Sequence, residues 1–541
     1  MIPSKAGKAR RLAAWAAAAL AIALHAPAHA AAQGPASAKQ AVEAAATAMG
    51  GAARIQAVKT LKVWGYGQNA YQDGGGNIDP NPRAPQKWIN VNAQQRWIDF
   101  EHGRMHVQQR NANNFVMSAA NLMTGAVRPN LNFDGSASAK GLAWTGGGAE
   151  ARRVSERDAR ARRIDMLANP LSAIRTALDP RSRLSNLRSV GKEQVIDMVT
   201  PAGDRVSLAF DATTHLPAWL RWTAPHMNFG DVTYTANWIG YQPVDGWLQL
   251  PSGYDTVSDF RGVHQATIYI DKYEVDAPVG DLAAPAQVAA AATPPDAPEV
   301  KTEVIPVAKG VWYIKAAGNS TLFEFADHTV LYEAYGSEAS TLAVIKAARA
   351  TVPNKPLTHL IVSHYHIDHT GGLRAAVAEG LTVIVNRQNA DYVREVTSRP
   401  ATQFPDALQR SGRKAKIEVV DDHKVLHDAT NRVDLYRVVN NNHYAAGLIA
   451  WSPSAKTVSE GDLVDEGWDI VWLGNSYMDT VAYWKLDVQR DLPVHGNINP
   501  YPAVVDMLKK QAKGAEALCA RAETAGLNLQ GCPLTMTLEK Y

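Results

Sequence analysis

Between Asp281 and Val300 the chain reads DLAAPAQVAAAATPPDAPEV. Pro285, Pro294, Pro295 and Pro298 remove backbone donors and fix φ, so this stretch interrupts any helix and carries no strand ladder. It reads as a linker over residues 278–302. A chain of 541 residues split in this way folds around two cores, one formed by residues 38–277 and one by residues 303–541, each the size of an ordinary domain. With 46% hydrophobic and 20% charged residues, disorder, a fibrous repeat and a membrane-embedded body are excluded.

The first 30 residues have a separate character. A basic start is followed by the apolar run Leu12–Leu24 and then by Ala28-His29-Ala30, the small-x-small pattern accepted by a signal peptidase. Residues 1–30 are therefore expected to be a cleavable signal peptide and the mature chain to be periplasmic or secreted. The run of 13 residues is short against the ~20 of a membrane span, so no integral membrane segment is expected in the mature chain. No cysteine near Ala30 supports a lipid anchor. The formal charge of +3 includes Lys5, Lys8, Arg10 and Arg11, and removing those four charges leaves −1. That balance gives no nucleic-acid footprint. Only Cys519 and Cys532 are present, and an oxidising compartment permits one local disulfide between them or two separate thiols.

The two segments differ in periodicity. After a helical pattern from Ala38 to Met49 and a Gly50-Gly51 stop, the first shows short alternating runs: LKVWGYG at 61, KWINVN at 87, RWIDF at 96 and RMHVQQ at 104. A period of two predicts a mainly antiparallel β (α+β) domain, with one basic amphipathic helix over Ser155–Leu178. Its glycine pair and the later run ending in FDATTHLPAWL are similar to periplasmic lipoprotein-carrier domains, in which a curved sheet wraps an apolar cavity. The other reading is an accessory domain that shapes or shields the neighbouring site. The second segment alternates strands (GVWYIKA, TLFEFADHTVLYEA, THLIVSH) with a helix over Ser337–Ala350, which predicts a layered α/β fold.

The chemistry concentrates in SHYHIDHTGG, Ser363–Gly372. An apolar strand delivers the chain into a turn carrying His364, His366, Asp368 and His369, and Gly371-Gly372 opens a helix. Side chains at i and i+2 of an extended segment project to one side, so His364 and His366 can share one metal while Asp368 and His369 address a second. Imidazole and carboxylate without thiolate suit zinc, with iron and manganese also accepted.

This strand, the HxHxDH pattern and the Gly-Gly helix start resemble the metallo-β-lactamase superfamily, and the resemblance extends over the second segment. It implies an αββα fold and three further ligands: His443 in NNNHYAAG, Asp462 in EGDLV and His495 in LPVHGN, where Val494 replaces a glycine common in the family. Carried over, His364, His366 and His443 hold one metal, Asp368, His369 and His495 the other, and Asp462 bridges them. Two Zn2+ per chain are expected. Asp368 is the candidate catalytic residue, orienting water and shuttling its proton. Trp468, Trp472, Tyr477 and Tyr444 are candidates for the substrate mouth. His359, His423 and His427 receive no ligand role.

The resemblance implies a metal-dependent hydrolase that cleaves an ester, lactone or amide of a small-molecule substrate by metal-bound hydroxide. An aspartate at the bridging position resembles the glyoxalase II-type, lactonase and phosphodiesterase branches rather than β-lactamases, which usually place Cys or Ser there. β-Lactamase, phosphodiesterase or sulfatase activity, an iron-dependent redox reaction, and a lipophilic-ligand carrier role for the first domain remain the alternatives.

Overall fold

The alternating runs before the proline seam pair into one 14-stranded antiparallel sheet. The computed structural model describes residues 37–526 except 72–79, 85, 114–125, 129, 442 and 467–472. The expected signal peptide, Trp468, Trp472 and Cys532 therefore lie outside the described residues. The strand Thr60–Ala70 sits centrally, antiparallel to Trp88–Asp99 on one side and to His264–Val275 on the other. The runs at 87 and 96 form one strand, because a register shift between Val91 and Ala93 accommodates both. One face buries Val63, Ile98, Met105 and Val107 against Val42, Ala45, Leu171 and Ile174 of the helices.

Ser155–Leu178 is not one helix. Glu156–Leu167 and Pro170–Leu178 are separate, because Pro170 cannot continue the first helix and instead occupies the first turn of the second. Asn169 caps the new start by accepting from the Leu171 amide at 3.0 Å.

The proline-rich stretch also departs from expectation. It contains a short helix, Ala286–Ala290, which starts directly after Pro285, where a missing N–H is tolerated. Val288, 1% exposed, packs with Leu142, Trp144 and Ala151. The Ala284 amide donates to Asp134 Oδ2 at 2.9 Å, and the Arg157 amide to Asp296 Oδ1 at 2.9 Å. The stretch lies along the first sheet as an ordered strap.

After it come a 7-stranded and a 6-stranded sheet. Their inner faces share a core in which Tyr313, Phe323, Ile361 and Ile384 of one sheet meet Val433, Leu435, Leu448 and Leu492 of the other. Helices such as Glu338–Thr351 and Ala390–Ser398 cover the outer faces, completing the αββα layering. The strand Leu357–Ile361 runs parallel to both Thr329–Tyr332 and Thr382–Asn386. It is central, so Leu360 is buried towards the helices and Ile361 towards the sandwich.

The two domains share a core cluster: Phe229, Val232, Phe260 and Val263 of the first join Leu373, Tyr392 and Val396 of the second. Arg399 Nε donates to the Phe229 carbonyl at 2.9 Å, and Asp231 accepts from the Gln403 and Phe404 amides at 2.6 and 3.1 Å. Among the described residues no helix is long and apolar enough to cross a membrane. Cys519, on the final helix Tyr501–Thr524, is disulfide-bonded.

Candidate metal centre

Three strand ends converge at one rim of the sandwich. His364 and His366 follow Leu357–Ile361, Asp462 follows Thr457–Glu460, and His495 follows Arg490–Pro493. The last two strands are parallel, so their carboxyl ends lie on the same side. His443 arrives from the loop between Arg432–Arg437 and Leu448–Ser452. Carboxyl ends of parallel strands are where open α/β sheets place their ligands, because side chains leaving adjacent strands meet there.

The structure brings all seven proposed ligands together. His364, His366, His443 and Asp462 form one group and Asp368, His369, Asp462 and His495 a second, each offering ligand atoms within 4.8 Å of one another. Asp462 belongs to both, and its two oxygens divide the work. Oδ2 lies 2.9 Å from His443 Nε2, 3.6 Å from His364 Nε2 and 3.9 Å from His366 Nδ1. Oδ1 lies 2.9 Å from His369 Nε2 and 3.0 Å from His495 Nε2. Asp368 Oδ2 stands 3.5 Å from His369 Nε2 and 3.8 Å from His495 Nε2. Two donors on one tetrahedral ion at ~2.1 Å are themselves ~3.4 Å apart, and these separations bracket that value.

The donor set fits divalent cations. His364 Nε2 and His366 Nε2 are buried without a hydrogen-bond partner, and such groups are costly unless something satisfies them. Charge is distributed accordingly. Burial, with His369 and His366 alongside, holds His364 well below its ordinary pKa, and burial beside His443 brings His366 down to about 3. Both are thereby neutral, the form that ligates. Burial also opposes charge on His369, but Asp462, Asp368 and Glu333 outweigh it and hold this imidazole well above its usual value, so it must release a proton to ligate. Asp462 stays well below the carboxylate range, because the charge of His369 and the imidazoles of His364 and His366 beside it override its burial.

Local sequence explains the placement. Asp462 adopts φ +58, a left-handed conformation that aspartate tolerates better than most residues. The preceding residue must be glycine, since a Cβ on Gly461 would lie 2.4 Å from Ser363 Oγ. Glu460 Oε2 accepts from the Leu463 amide at 2.7 Å and closes the turn. At His495 the left-handed position is Gly496, φ +111, whereas Val494 is a buried strand-end residue.

Sequence reasoning missed several supporting residues. Glu333, fully buried, reaches His369 Nδ1 with Oε2 at 3.2 Å, the carboxylate–imidazole contact that fixes ring orientation in metal sites. Ser363 Oγ lies 3.0 Å from His364 Nδ1. Tyr335 stands edge-on to His369 and His495 at 5.4 and 5.0 Å. The only available signal for Glu333 was an acid at the end of an apolar strand, which is common.

Tyr444 and Tyr477 do not line a mouth. Tyr444 is 3% exposed, stacks on His364 at 4.1 Å and donates to the Gly461 carbonyl, while Tyr477 is 1% exposed and donates to Asp491. Both lie behind the site as packing. His359 pairs with Glu418 at 3.5 Å and His423 with Asp434 at 2.8 Å, and neither belongs to the ligand groups.

Residues 314–473 match the model of the Metallo-beta-lactamase superfamily. No curated protein matches the chain. Among solved structures, the metallo-beta-lactamase of Pontibacter korlensis is 17% identical, with 39% of this chain and 99% of that one covered at a TM-score of 0.30. That of Hirschia baltica is 16% identical over 39% and 97%, at 0.31. The mono-zinc form of FIM-1 from Pseudomonas aeruginosa is 18% identical over 41% and 97%, at 0.30. By that match residues 314–473, which carry the HxHxDH turn, His443 and Asp462, belong to the metallo-beta-lactamase superfamily.

Proposed function

We propose that this protein is an exported dinuclear zinc hydrolase that cleaves an ester, lactone or amide bond of a small molecule. The observation that carries the reading is Asp462, whose two oxygens each face a different set of imidazoles. Export is supported by the basic, apolar and Ala-His-Ala pattern of the first 30 residues.

These seven residues would hold two divalent cations, which would supply Lewis acidity towards a carbonyl oxygen and lower the pKa of a water. The chain's own residues do the rest. Asp368, with about a third of its side chain exposed, holds the proton of the attacking water and returns it to the leaving group. Glu333 and Ser363 fix the rings of His369 and His364. Tyr335 walls the side next to His495.

The test is a screen of chromogenic esters, lactones, amides, phosphodiesters, sulfates and a cephalosporin with wild type and Asp462→Ala. The reading requires zinc-dependent turnover of an ester, lactone or amide, lost in the variant. Turnover retained by Asp462→Ala would overturn it, and turnover confined to phosphodiesters, sulfates or the cephalosporin would replace the substrate class.

One observation favours a second reading, a carrier role for the first domain. A cavity of about 360 Å3 lies between its sheet and helices, walled by Val107, Trp222, Trp238, Ile268 and Ile270, with Arg96 also in its lining. Amphiphile co-purifying with the full chain, detected by native mass spectrometry, would support that reading.

A further inference from the structure

The first domain touches the metal motif at one hairpin. Strands Pro217–His226 and Gly230–Val244 are joined by Met227-Asn228-Phe229. Phe229 stacks on Phe260 at 3.9 Å and stands edge-on to Tyr392 at 6.5 Å, which anchors the tip in the second domain. Gly230 allows the close approach, since a Cβ there would lie 2.5 Å from the Pro400 carbonyl.

This docking leaves Asn228 1% exposed against the segment Ile367–Thr370. Asn228 Nδ2 donates to the Ile367 carbonyl at 2.8 Å and to Thr370 Oγ1 at 2.7 Å. The Thr370 hydroxyl sends its single proton to the His366 carbonyl at 2.8 Å, so it must accept from Asn228. Both amide hydrogens are used, and the orientation of the side chain follows. The bonded groups bracket Asp368 and His369 and reach the peptide of His366, three of the seven proposed ligands.

We propose that Asn228 is a positioning residue of the metal centre, contributed by the first domain, and that metal affinity is thereby coupled to docking of the two domains. This rests on the proposed metal-binding role of the seven residues. Coupling of this kind is reciprocal: if docking raises metal affinity, metal must tighten docking by the same factor. An aspartate at 228 keeps the shape but loses both donors. A residue acting only as filler between domains would tolerate that change.

The experiment measures Zn2+ affinity by competition with a chromogenic chelator for wild type, Asn228→Asp, Asn228→Ala, Thr370→Val and Thr370→Ser, alongside melting of the metal-free proteins. Asn228→Asp, Asn228→Ala and Thr370→Val each weaken the Asp368/His369/His495 ion by ~10–100-fold, the usual effect of losing an outer-shell partner. Thr370→Ser, which keeps the hydroxyl, binds as wild type does. The double variant Asn228→Ala/Thr370→Val loses less than the sum of the two singles, because both remove one shared bond. In the wild type itself, Zn2+ slows amide exchange across residues 226–231. Asn228 variants with wild-type Zn2+ affinity, whatever their melting temperature, would overturn the proposal, as would exchange at 226–231 that ignores Zn2+. A wild type that binds no Zn2+ would instead overturn the function reading beneath it.

Discussion

Two buried polar clusters, one in each domain, are finished differently. In the first sheet Arg96 donates to Gln94 at 3.0 Å, Asp165 at 2.9 Å and Tyr254 at 3.2 Å, and Tyr254 donates in turn to Gln94 at 2.9 Å. Gln94 continues to Gln109 at 2.7 Å. Donors and acceptors match within the cluster, as a structural network requires. At the rim of the second domain, imidazoles and carboxylates converge instead, and His364 Nε2 and His366 Nε2 find no hydrogen-bond partner. A self-satisfied cluster stabilises a fold, whereas a cluster with convergent unpaired donors is arranged around something it binds.

That difference is open to attack by substitution. The largest effect is expected from Asp462→Ala, which removes the shared carboxylate: both ions and zinc-dependent turnover are lost together, by metal analysis and assay. Arg96→Met should do the opposite. It leaves the partly exposed Asp165 without its cation and Tyr254 without a donor, and lowers stability by ~2–3 kcal/mol in urea unfolding, with metal content unchanged. If Arg96→Met depleted zinc, the separation of the two clusters would fail.

Glu333→Ala is expected to weaken Zn2+ binding ~10–100-fold, or ~1.4–2.7 kcal/mol, through the orientation of His369, as read by chelator competition. Binding equal to wild type would remove Glu333 from the centre.

The smallest effect concerns the junction of the domains. Burial, with Arg399 beside it, lowers the pKa of His226 from 6.5 to about 4. The unfolded chain then binds the extra proton between those values, so stability rises with pH across that window and is lost as pH falls through it. Between pH 7 and pH 5 the wild type should lose ~1–2 kcal/mol through this ring, which retains some exposure. His226→Asn should flatten that part of the urea-midpoint profile, and an unchanged slope would contradict the assignment.

What was legible in the sequence follows from contact distance along the chain. His364, His366, Asp368 and His369 lie within six residues, so spacing alone reveals them. His443, Asp462 and His495 could be picked out only by their order relative to a known family. Glu333 and Asn228 were illegible, since each acts across a long sequence separation and is by itself an ordinary strand-end acid or turn amide. Period-two runs revealed the first sheet, while Pro170 was a readable stop that the amphipathic pattern of residues 155–178 obscured. The aromatics were misplaced because hydrophobicity does not distinguish a ring stacked behind a ligand, as Tyr444 is, from one lining its mouth.

On the proposed function, the Asp462 carboxylate joins two metal positions. Zn2+ titration of metal-free wild type and Asp462→Ala against a competing chelator tests it most directly. Two equivalents are expected in the wild type, and loss of high-affinity binding at both positions in the variant. A variant that still takes up both equivalents with wild-type affinity, or loses one and keeps the other undiminished, would contradict it.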